Sequence, residues 1–272
     1  MEIFVLLPCF NESANIRQLI LRIHQTLDPL RKSTEEYRKI DDYKVIAVDD
    51  GSTDGTSEIL NELALHYPIC VVHHEFNMGL AKAYSTLLEK VSAFCNDDDI
   101  AVTMDADESH DPNYIPSLMA CAKAGADVVV ASRYAGGSQL GVPFHRRLLS
   151  RAVNWFIRSL TCIPVKDCTC GFRAFRGALL KTLPTLESDG FEVAAELLIH
   201  ACRLNPVPVI EEVPFVLHYD RKGSKSKINL CRTVKAYRRL LWKNAQVNLT
   251  PHVRRVLHGA SARANFRPPQ KS

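Results

Sequence analysis

Short apolar runs alternate with stretches of helical periodicity over the first half of the chain, and this alternation constrains the fold more than any other feature. The stretches between the runs repeat apolar residues every three or four positions, as amphipathic helices do. Strands that alternate with helices favour a mostly parallel sheet with helices on both faces, so we predict an α/β fold. The runs that predict buried strands are 3–7, 45–48, 69–72, 99–104 and 127–132.

Three polar loops follow strands of this predicted sheet. Residues 8–12 follow the first strand, residues 49–56 follow the second, and residues 105–110, which read Asp-Ala-Asp-Glu-Ser-His, follow the fourth. Right-handed crossovers bring the carboxyl ends of parallel strands to one edge of the sheet. Ligands of such sheets bind in the crevice at that edge, so the three loops predict a binding site there.

Asp105 and Asp107 are the strongest candidates for a metal site. Alternate residues of an extended segment share a face, so the two carboxylates can point the same way. Carboxylates so placed repel each other unless a cation lies between them. Mg²⁺ takes oxygen ligands and often shares them with substrate phosphates. We therefore predict Mg²⁺ or Mn²⁺ on Asp105 and Asp107, with Ser109 as a candidate third oxygen ligand; the alternative is a solvated acidic turn.

Several other classes of protein are disfavoured. The turn after the first strand reads Pro-Cys-Phe-Asn-Glu rather than GxGxxG, and no GxxxxGK[ST] phosphate loop occurs. The spacing of the nine cysteines does not suit a zinc site, and the net charge of +4 is too small to indicate nucleic acid. No apolar run is long enough to span a membrane, and Glu2 and Pro8 are unlike a signal peptide. We expect a cytoplasmic protein, or one attached to the cytoplasmic face of a membrane.

The three loops resemble those of the family 2 glycosyltransferases, which have a GT-A fold. Asp105-Ala106-Asp107 resembles their DXD metal motif, and residues 49–56 resemble the loop that contacts base and ribose. Four further segments narrow the resemblance to the dolichol-phosphate (polyprenol-phosphate) mannosyltransferases. These segments are 105–112, 132–134, 167–173 and 220–221.

This resemblance covers about residues 3–245 and implies that mannose passes from GDP-mannose to a polyprenyl (dolichyl) phosphate with inversion. One alternative is the same reaction from UDP-glucose or another UDP-sugar. Another is a soluble glycosyltransferase that acts on a saccharide or protein, with Glu192 or Glu196 as base. A third is a non-catalytic protein that binds a nucleotide sugar.

The resemblance also implies roles for individual residues. Catalytic roles fall to Asp107, Arg133 and Arg221. Arg133 follows the fifth strand and would hold the acceptor phosphate together with Arg146 and Ser150. Arg221 and Lys227 lie on a basic loop that would close over the diphosphate. The residues expected around the donor nucleotide are Pro8, Phe10, Glu12 and Asp50, and Asp105 would bind the donor through the metal.

Two features depart from the family pattern. Glu108 replaces the usual apolar residue between the acids and Ser109, and Gly223 lies one place early in the basic loop. The sequence leaves two roles open for Asp167 and Arg173. They flank a strand-like segment and either line the site or pair with each other.

The acceptor's apolar tail requires contact with a membrane. Residues 145–160 predict a helix in which arginines lie beside Trp and Phe, as in an interfacial helix; the alternative is a core helix with a basic outer side. Residues 228–242 predict a second basic amphipathic helix. We assign residues 1–245 to one catalytic domain and expect residues 246–272 to be a disordered polar tail. Attachment would be peripheral, either direct or through a separate membrane subunit.

Overall fold

The structure is a computed structural model that describes residues 1–35, 39–161, 163–188, 190–204, 206–221 and 230–245. Its strands are β1 (Glu2–Cys9), β2 (Asp42–Asp49), β3 (Ile69–His73), β4 (Ile100–Thr103), β5 (Val128–Ser132), β6 (Ser138–Leu140), β7 (Arg173–Arg176), β8 (Ile210–Pro214) and β9 (Val216–His218). Its α-helices are α1 (Ile16–Arg31), α2 (Thr56–Ala64), α3 (Leu80–Phe94), α4 (Ile115–Lys123), α5 (Phe144–Thr161), α6 (Gly177–Leu180), α7 (Val193–Ala201) and α8 (Leu230–Ala245). Short 3-10 turns lie at Pro112–Tyr114 and Tyr219–Arg221.

Seven strands form the central sheet in the order β3-β2-β1-β4-β7-β5-β8. Every neighbouring pair is parallel except those that involve β7, which runs antiparallel to both β4 and β5. The predicted α/β fold with a mostly parallel sheet and flanking helices is confirmed. The five predicted strands correspond to β1 to β5. A separate two-stranded parallel pair joins β6 to β9.

The apolar stripe along α1 is part of the hydrophobic core. Ile16, Leu19, Ile20, Ile23 and Leu27 make one stripe along α1, and none of them is more than 1% exposed. Burying a side chain of this size stabilises the fold by about 1.5–3 kcal/mol. Helix α1 is therefore firmly fixed against the sheet.

Strand β7 carries a feature that the sequence pattern does not reveal. Arg173 begins this strand and is 1% exposed. Its guanidinium donates to the carbonyl oxygens of Ala194 and Cys168, which supports a charge that is otherwise costly to bury. The strand-like segment expected between Asp167 and Arg173 instead starts at Arg173 and continues to Arg176.

Two predictions concern membrane contact and the chain end. Across the described residues, no helix combines the length and the apolar character that crossing a bilayer requires. The predicted tail, residues 246–272, lies outside the described residues, as does Lys227.

Candidate active site

A cavity of about 2160 Å³ opens where β1, β2, β4 and β5 end. Its position confirms that the polar loops converge at the carboxyl edge of the sheet. Arg221 is not among the lining residues, and Lys227 lies outside the described residues. The predicted site residues that line the cavity are Pro8, Phe10, Glu12, Asp50, Asp105, Asp107, Ser109, Arg133, Arg146 and Ser150.

The acidic loop after β4 is held in a defined shape by hydrogen bonds within the loop. Asp107 Oδ1 accepts from the Ser109 amide at 3.1 Å and from Ser109 Oγ at 2.5 Å. The amide of Asp105 donates to His110 Nδ1 at 3.0 Å, so a neutral His110 carries its proton on Nε2, which is 3.6 Å from Asp105 Oδ2. The His110 ring stacks on Phe172 with centroids 5.2 Å apart. The buried residues of this loop therefore hold Asp105 at the cavity.

The oxygen atoms of this loop fit a hard divalent cation. The Asp105 side chain is 44% exposed, and Asp107 and Ser109 line the same cavity. No group of three or more His, Cys, Asp or Glu side chains converges as a metal site in the part of the chain that the structure describes. Two carboxylates, completed by water and substrate phosphates, are typical of Mg²⁺ rather than of a closed structural site. The donor set fits the predicted cation on this ground.

The first two loops are bound to each other. Asn11 has a positive φ of 50°, a conformation that asparagine tolerates. Its amide donates to Ser52 Oγ at 2.9 Å, and its own Oδ1 accepts from the Thr53 amide at 2.8 Å. The Glu12 amide donates to Thr56 Oγ1 at 2.9 Å. These contacts place the loop that carries Phe10 and Glu12 beside the loop that carries Asp50.

Asp50 anchors a fourth loop, which the sequence pattern does not assign to the site. Its carboxylate accepts from the amides of Met78 and Gly79 at 2.9 and 2.8 Å, and it lies 2.7 Å from His74 Nδ1. The segment between β3 and α3 thereby reaches the cavity, which Asn77, Met78 and Gly79 line. In the sequence, the glycine at position 51 is the signal of this close approach between the two loops. Its φ is +69°, and a Cβ atom added there would lie 2.4 Å from the carbonyl carbon of Phe76.

Arg133 is locked in a buried ion pair. Its Nε and Nη2 each donate to Asp167 at 2.7 Å, and Nη2 also donates to Thr169 Oγ1 at 2.8 Å. The Arg133 side chain is 13% exposed and that of Asp167 is fully buried. Burial opposes both charges, but attraction to Asp167 outweighs it and raises the pKa of Arg133, while Arg133 lowers the pKa of Asp167. Asp167 therefore pairs with Arg133 rather than with Arg173.

The predicted acceptor side gathers further polar groups around α5. Arg146 Nη1 donates to the Tyr219 hydroxyl at 2.7 Å. Ser150 Oγ accepts from the Tyr134 hydroxyl at 2.8 Å, and the Arg133 guanidinium lies over the Tyr134 ring at 5.4 Å. Arg146, Ser150 and Tyr219 line the same cavity as the acidic loop.

Arg221 and Glu108 lie beside this arrangement rather than in it. Arg221 Nη1 contacts Asp111 Oδ2 at 3.2 Å. Glu108 turns away from the cavity and pairs with Arg22 on α1. The family departure at position 108 thus leaves the positions of Asp105 and Asp107 at the cavity unobstructed.

The comparison with known families agrees with this geometry. The family model for glycosyl transferase family 2 matches residues 4–183, about two thirds of the chain. The chain belongs to this family. The predicted family and the GT-A fold are thereby confirmed.

Two relatives within the family have informative names. A dolichol-phosphate mannosyltransferase from Pyrococcus furiosus is 31% identical over 248 residues, which cover 89% of this chain and 63% of the relative. The chain thus spans less than two thirds of that relative's length. A polyprenol monophosphomannose synthase from Mycolicibacterium smegmatis is 32% identical over 230 residues, or 83% of this chain and 80% of the relative.

Solved structures with the same fold include glucosyl-3-phosphoglycerate synthase from Mycobacterium tuberculosis, in complex with Mn²⁺, UDP and phosphoglyceric acid. The TM-score is 0.63 at 22% identity, and the match covers 90% of this chain and 78% of the other. The same enzyme was also solved with Mg²⁺ and UDP. At this identity the likeness shows the fold alone.

Glu192 and Glu196, the candidate general bases of a soluble glycosyltransferase, are both buried. Glu196 accepts from the amides of Glu187 and Ser188 at 2.8 and 3.0 Å and lies 3.4 Å from His200 Nε2. Burial raises the pKa of Glu196, but these hydrogen bonds outweigh it and lower the pKa overall. Glu196 therefore anchors a loop at the cavity wall. Glu192 also lines the cavity and is 4% exposed.

Proposed function

We propose that the protein transfers mannose from GDP-mannose to a polyprenyl (dolichyl) phosphate with inversion, assisted by Mg²⁺ or Mn²⁺. The observation that carries this proposal is the composition of the cavity. The carboxylates of Asp105 and Asp107 and the guanidinium groups of Arg133 and Arg146 line one continuous space. A metal-bound diphosphate needs the first pair, and an anionic acceptor needs the second. The names of the two relatives support the choice of mannose and of a polyprenyl phosphate.

The donor would lie along the three loops at the ends of β1, β2 and β4. Pro8, Phe10 and Glu12 would contact the base and ribose. Asp50 holds the Met78–Gly79 turn at the same end of the cavity. Asp105 and Asp107 would hold the cation, with Ser109 as a candidate third ligand. A bound cation supplies charge that stabilises the departing diphosphate.

The acceptor would lie on the opposite side of the cavity. Its phosphate is largely a dianion near neutral pH, because the second pKa of a phosphate monoester is about 6, so no protein base is needed. Arg133 Nη1 has no hydrogen-bond partner among the described residues and is the donor that this phosphate would meet, with Arg146 and Ser150 beside it.

The transfer itself is one displacement. A phosphate oxygen of the acceptor forms a bond to the anomeric carbon while the bond from that carbon to the donor diphosphate breaks. GDP leaves with the electron pair of the broken bond. Attack from the face opposite GDP inverts the configuration at the sugar carbon. The positive side chains hold the two anions in line, which is the main contribution that a protein makes to such a step.

The exposed face of α5 supports peripheral contact with a membrane. Phe144, Leu148 and Trp155 are 76%, 58% and 66% exposed, and they follow one another at helical spacing. Arg151 and Arg158 are exposed on the same face. Apolar side chains flanked by arginines are typical of a helix that lies in the headgroup region of an anionic bilayer. We propose that this face docks at the cytoplasmic side of a membrane, alone or together with a separate membrane subunit.

The decisive experiment is a donor screen with the purified chain. Mg²⁺ or Mn²⁺ and a short polyprenyl phosphate are mixed with labelled GDP-mannose or with labelled UDP-sugars, and the lipid extract is counted. We expect label in the lipid from GDP-mannose, and its loss in D107N. The matched control is D98N, because Asp98 is an exposed acid outside the cavity.

Other outcomes select the alternatives. Label from a UDP-sugar alone would keep the site and mechanism but replace the donor. Label in an added saccharide that depends on Glu192 would favour a soluble enzyme with a carboxylate base. Donor binding without transfer from any sugar would favour a non-catalytic protein or a missing membrane subunit. An unchanged rate in D107N would refute the site assignment.

A further inference from the structure

The acidic loop contains a backbone turn that its sequence does not favour. Glu108, between Asp107 and Ser109, has a positive φ of 65°. This left-handed conformation is unfavourable for a residue with a Cβ atom. The turn lets Asp107 Oδ1 reach the amide and hydroxyl of Ser109, two positions further along. The candidate cation ligands therefore depend on a strained residue.

A side chain from α1 compensates for this turn. Arg22 Nη1 lies 2.6 Å from Glu108 Oε2, and Arg22 Nη2 lies 2.7 Å from Asp111 Oδ1. The exposed fractions of the three side chains are 18%, 11% and 13%, so the pairs are largely shielded from water. One guanidinium thus bridges two carboxylates that flank Ser109 and His110. Charge-assisted hydrogen bonds from a planar guanidinium to two carboxylates fix their relative positions as well as contribute energy.

Arg22 lies on a helix whose backbone is fixed, whereas Glu108 lies in the strained turn. Helix α1 buries its whole apolar stripe in the core, so the backbone at Arg22 is fixed. Within the described part of the chain, Glu108 Oε1 is buried and has no hydrogen-bond partner, so Arg22 bears most of the compensation for that carboxylate. Neither Arg22, Glu108 nor Asp111 lines the cavity.

We infer that Arg22 is a positioning residue for the acidic loop. By binding Glu108 and Asp111 it holds the left-handed turn that presents Asp107 and Ser109 to the cavity. Arg22 acts through these residues and touches no substrate. The consequence for cation binding rests on the proposed function, whereas the effect on the loop's conformation does not.

Hydrogen–deuterium exchange of the full chain, without added ligands, tests the effect on the loop. In R22M the turn loses its compensation, so we expect exchange in a peptide covering residues 105–111 to rise about tenfold. Peptides from β2 and α4 should be unchanged. Glycine adopts positive φ without strain, so R22M/E108G should return to within about twofold of wild type. R22K, which keeps the charge but not the fork, should fall between wild type and R22M.

Two exchange results would overturn the inference. One is loop exchange in R22M that stays within about twofold of wild type. The other is a double variant that exchanges as fast as R22M or that loses protection throughout the chain. The first result would mean that Arg22 does not hold the turn, and the second that it does not act through the strain at Glu108.

Mn²⁺ binding, followed by the electron paramagnetic resonance signal of free Mn²⁺, tests the link to the site. Removing Arg22 leaves extra negative charge, which alone would tighten cation binding; a disordered loop would weaken it. We expect the apparent Kd to rise about tenfold in R22M and to recover in R22M/E108G. Tighter or unchanged binding in R22M would refute the positioning role. A wild-type protein that binds no Mn²⁺ would refute the proposed metal, while the exchange data would still decide the role of Arg22 in the loop.

Discussion

The ion pair between Arg133 and Asp167 makes the sharpest stability prediction. The carboxylate of Asp167 accepts from the backbone amide of Arg133 at 3.0 Å and from two guanidinium nitrogens at 2.7 Å. In D167N one oxygen becomes an NH₂ group that faces those donors, and Arg133 remains as a buried cation. Removing one partner of a buried pair costs about 3–5 kcal/mol. At about 2–4 °C per kcal/mol for a domain of this size, the Tm should fall by about 10 °C.

Urea unfolding of the wild-type protein and D167N, followed by circular dichroism, measures this cost. The matched control is D97N, because Asp97 pairs with Lys181 at 2.8 Å but is 73% exposed. An exposed pair contributes about 0–1 kcal/mol, so D97N should hardly change the free energy of unfolding. In the transfer assay D167N should also raise the KM for the acceptor more than that for the donor. A D167N protein within about 1 kcal/mol of wild type would refute the reasoning.

Three further predictions follow from local geometry. G51A should unfold at a clearly lower urea concentration than G55A. Both glycines have positive φ, but only a Cβ at position 51 would meet backbone, at 2.4 Å, so equal urea midpoints would contradict this. Because the pKa of Glu196 is lowered in the folded protein, its ionised form stabilises the fold above the ordinary pKa of 4.5, and this stabilisation is lost as the pH falls. E196Q should therefore show a flatter dependence of Tm on pH than wild type between about pH 3 and pH 5. W155E should weaken binding to anionic vesicles, whereas L65E, at another exposed apolar residue, should not.

Much of the fold could be predicted because its first half obeys local rules. Five apolar runs became β1 to β5, and the stripe along α1 is buried as its periodicity requires. Strand β7 could not be predicted from its pattern, since it enters the sheet antiparallel between β4 and β5 and carries a buried arginine. Hydrogen bonds to the carbonyl oxygens of Cys168 and Ala194 support that buried charge, and Ala194 is 21 residues distant.

The candidate site divides in the same way. Asp105, Asp107 and Arg133 could be placed at the cavity because each follows a strand that ends there. The sequence does not predict that the loop with Asn77 and Met78 lies at the cavity, because its position depends on the hydrogen bonds that Asp50 accepts from it. The sequence does not identify the partner of Asp167 for a related reason, since no periodicity links it to a residue 34 positions earlier.

The sequence by itself determined the chemistry of the sheet edge. Strand ends and a two-residue side-chain period are local properties, so they place carboxylates and an arginine there wherever the rest of the chain lies. The tertiary structure alone decided which charges neutralise one another. Arg133 meets Asp167, and Glu108 meets Arg22 across 86 residues. Such pairs form only when packing brings distant segments together and excludes the water that would otherwise solvate each charge.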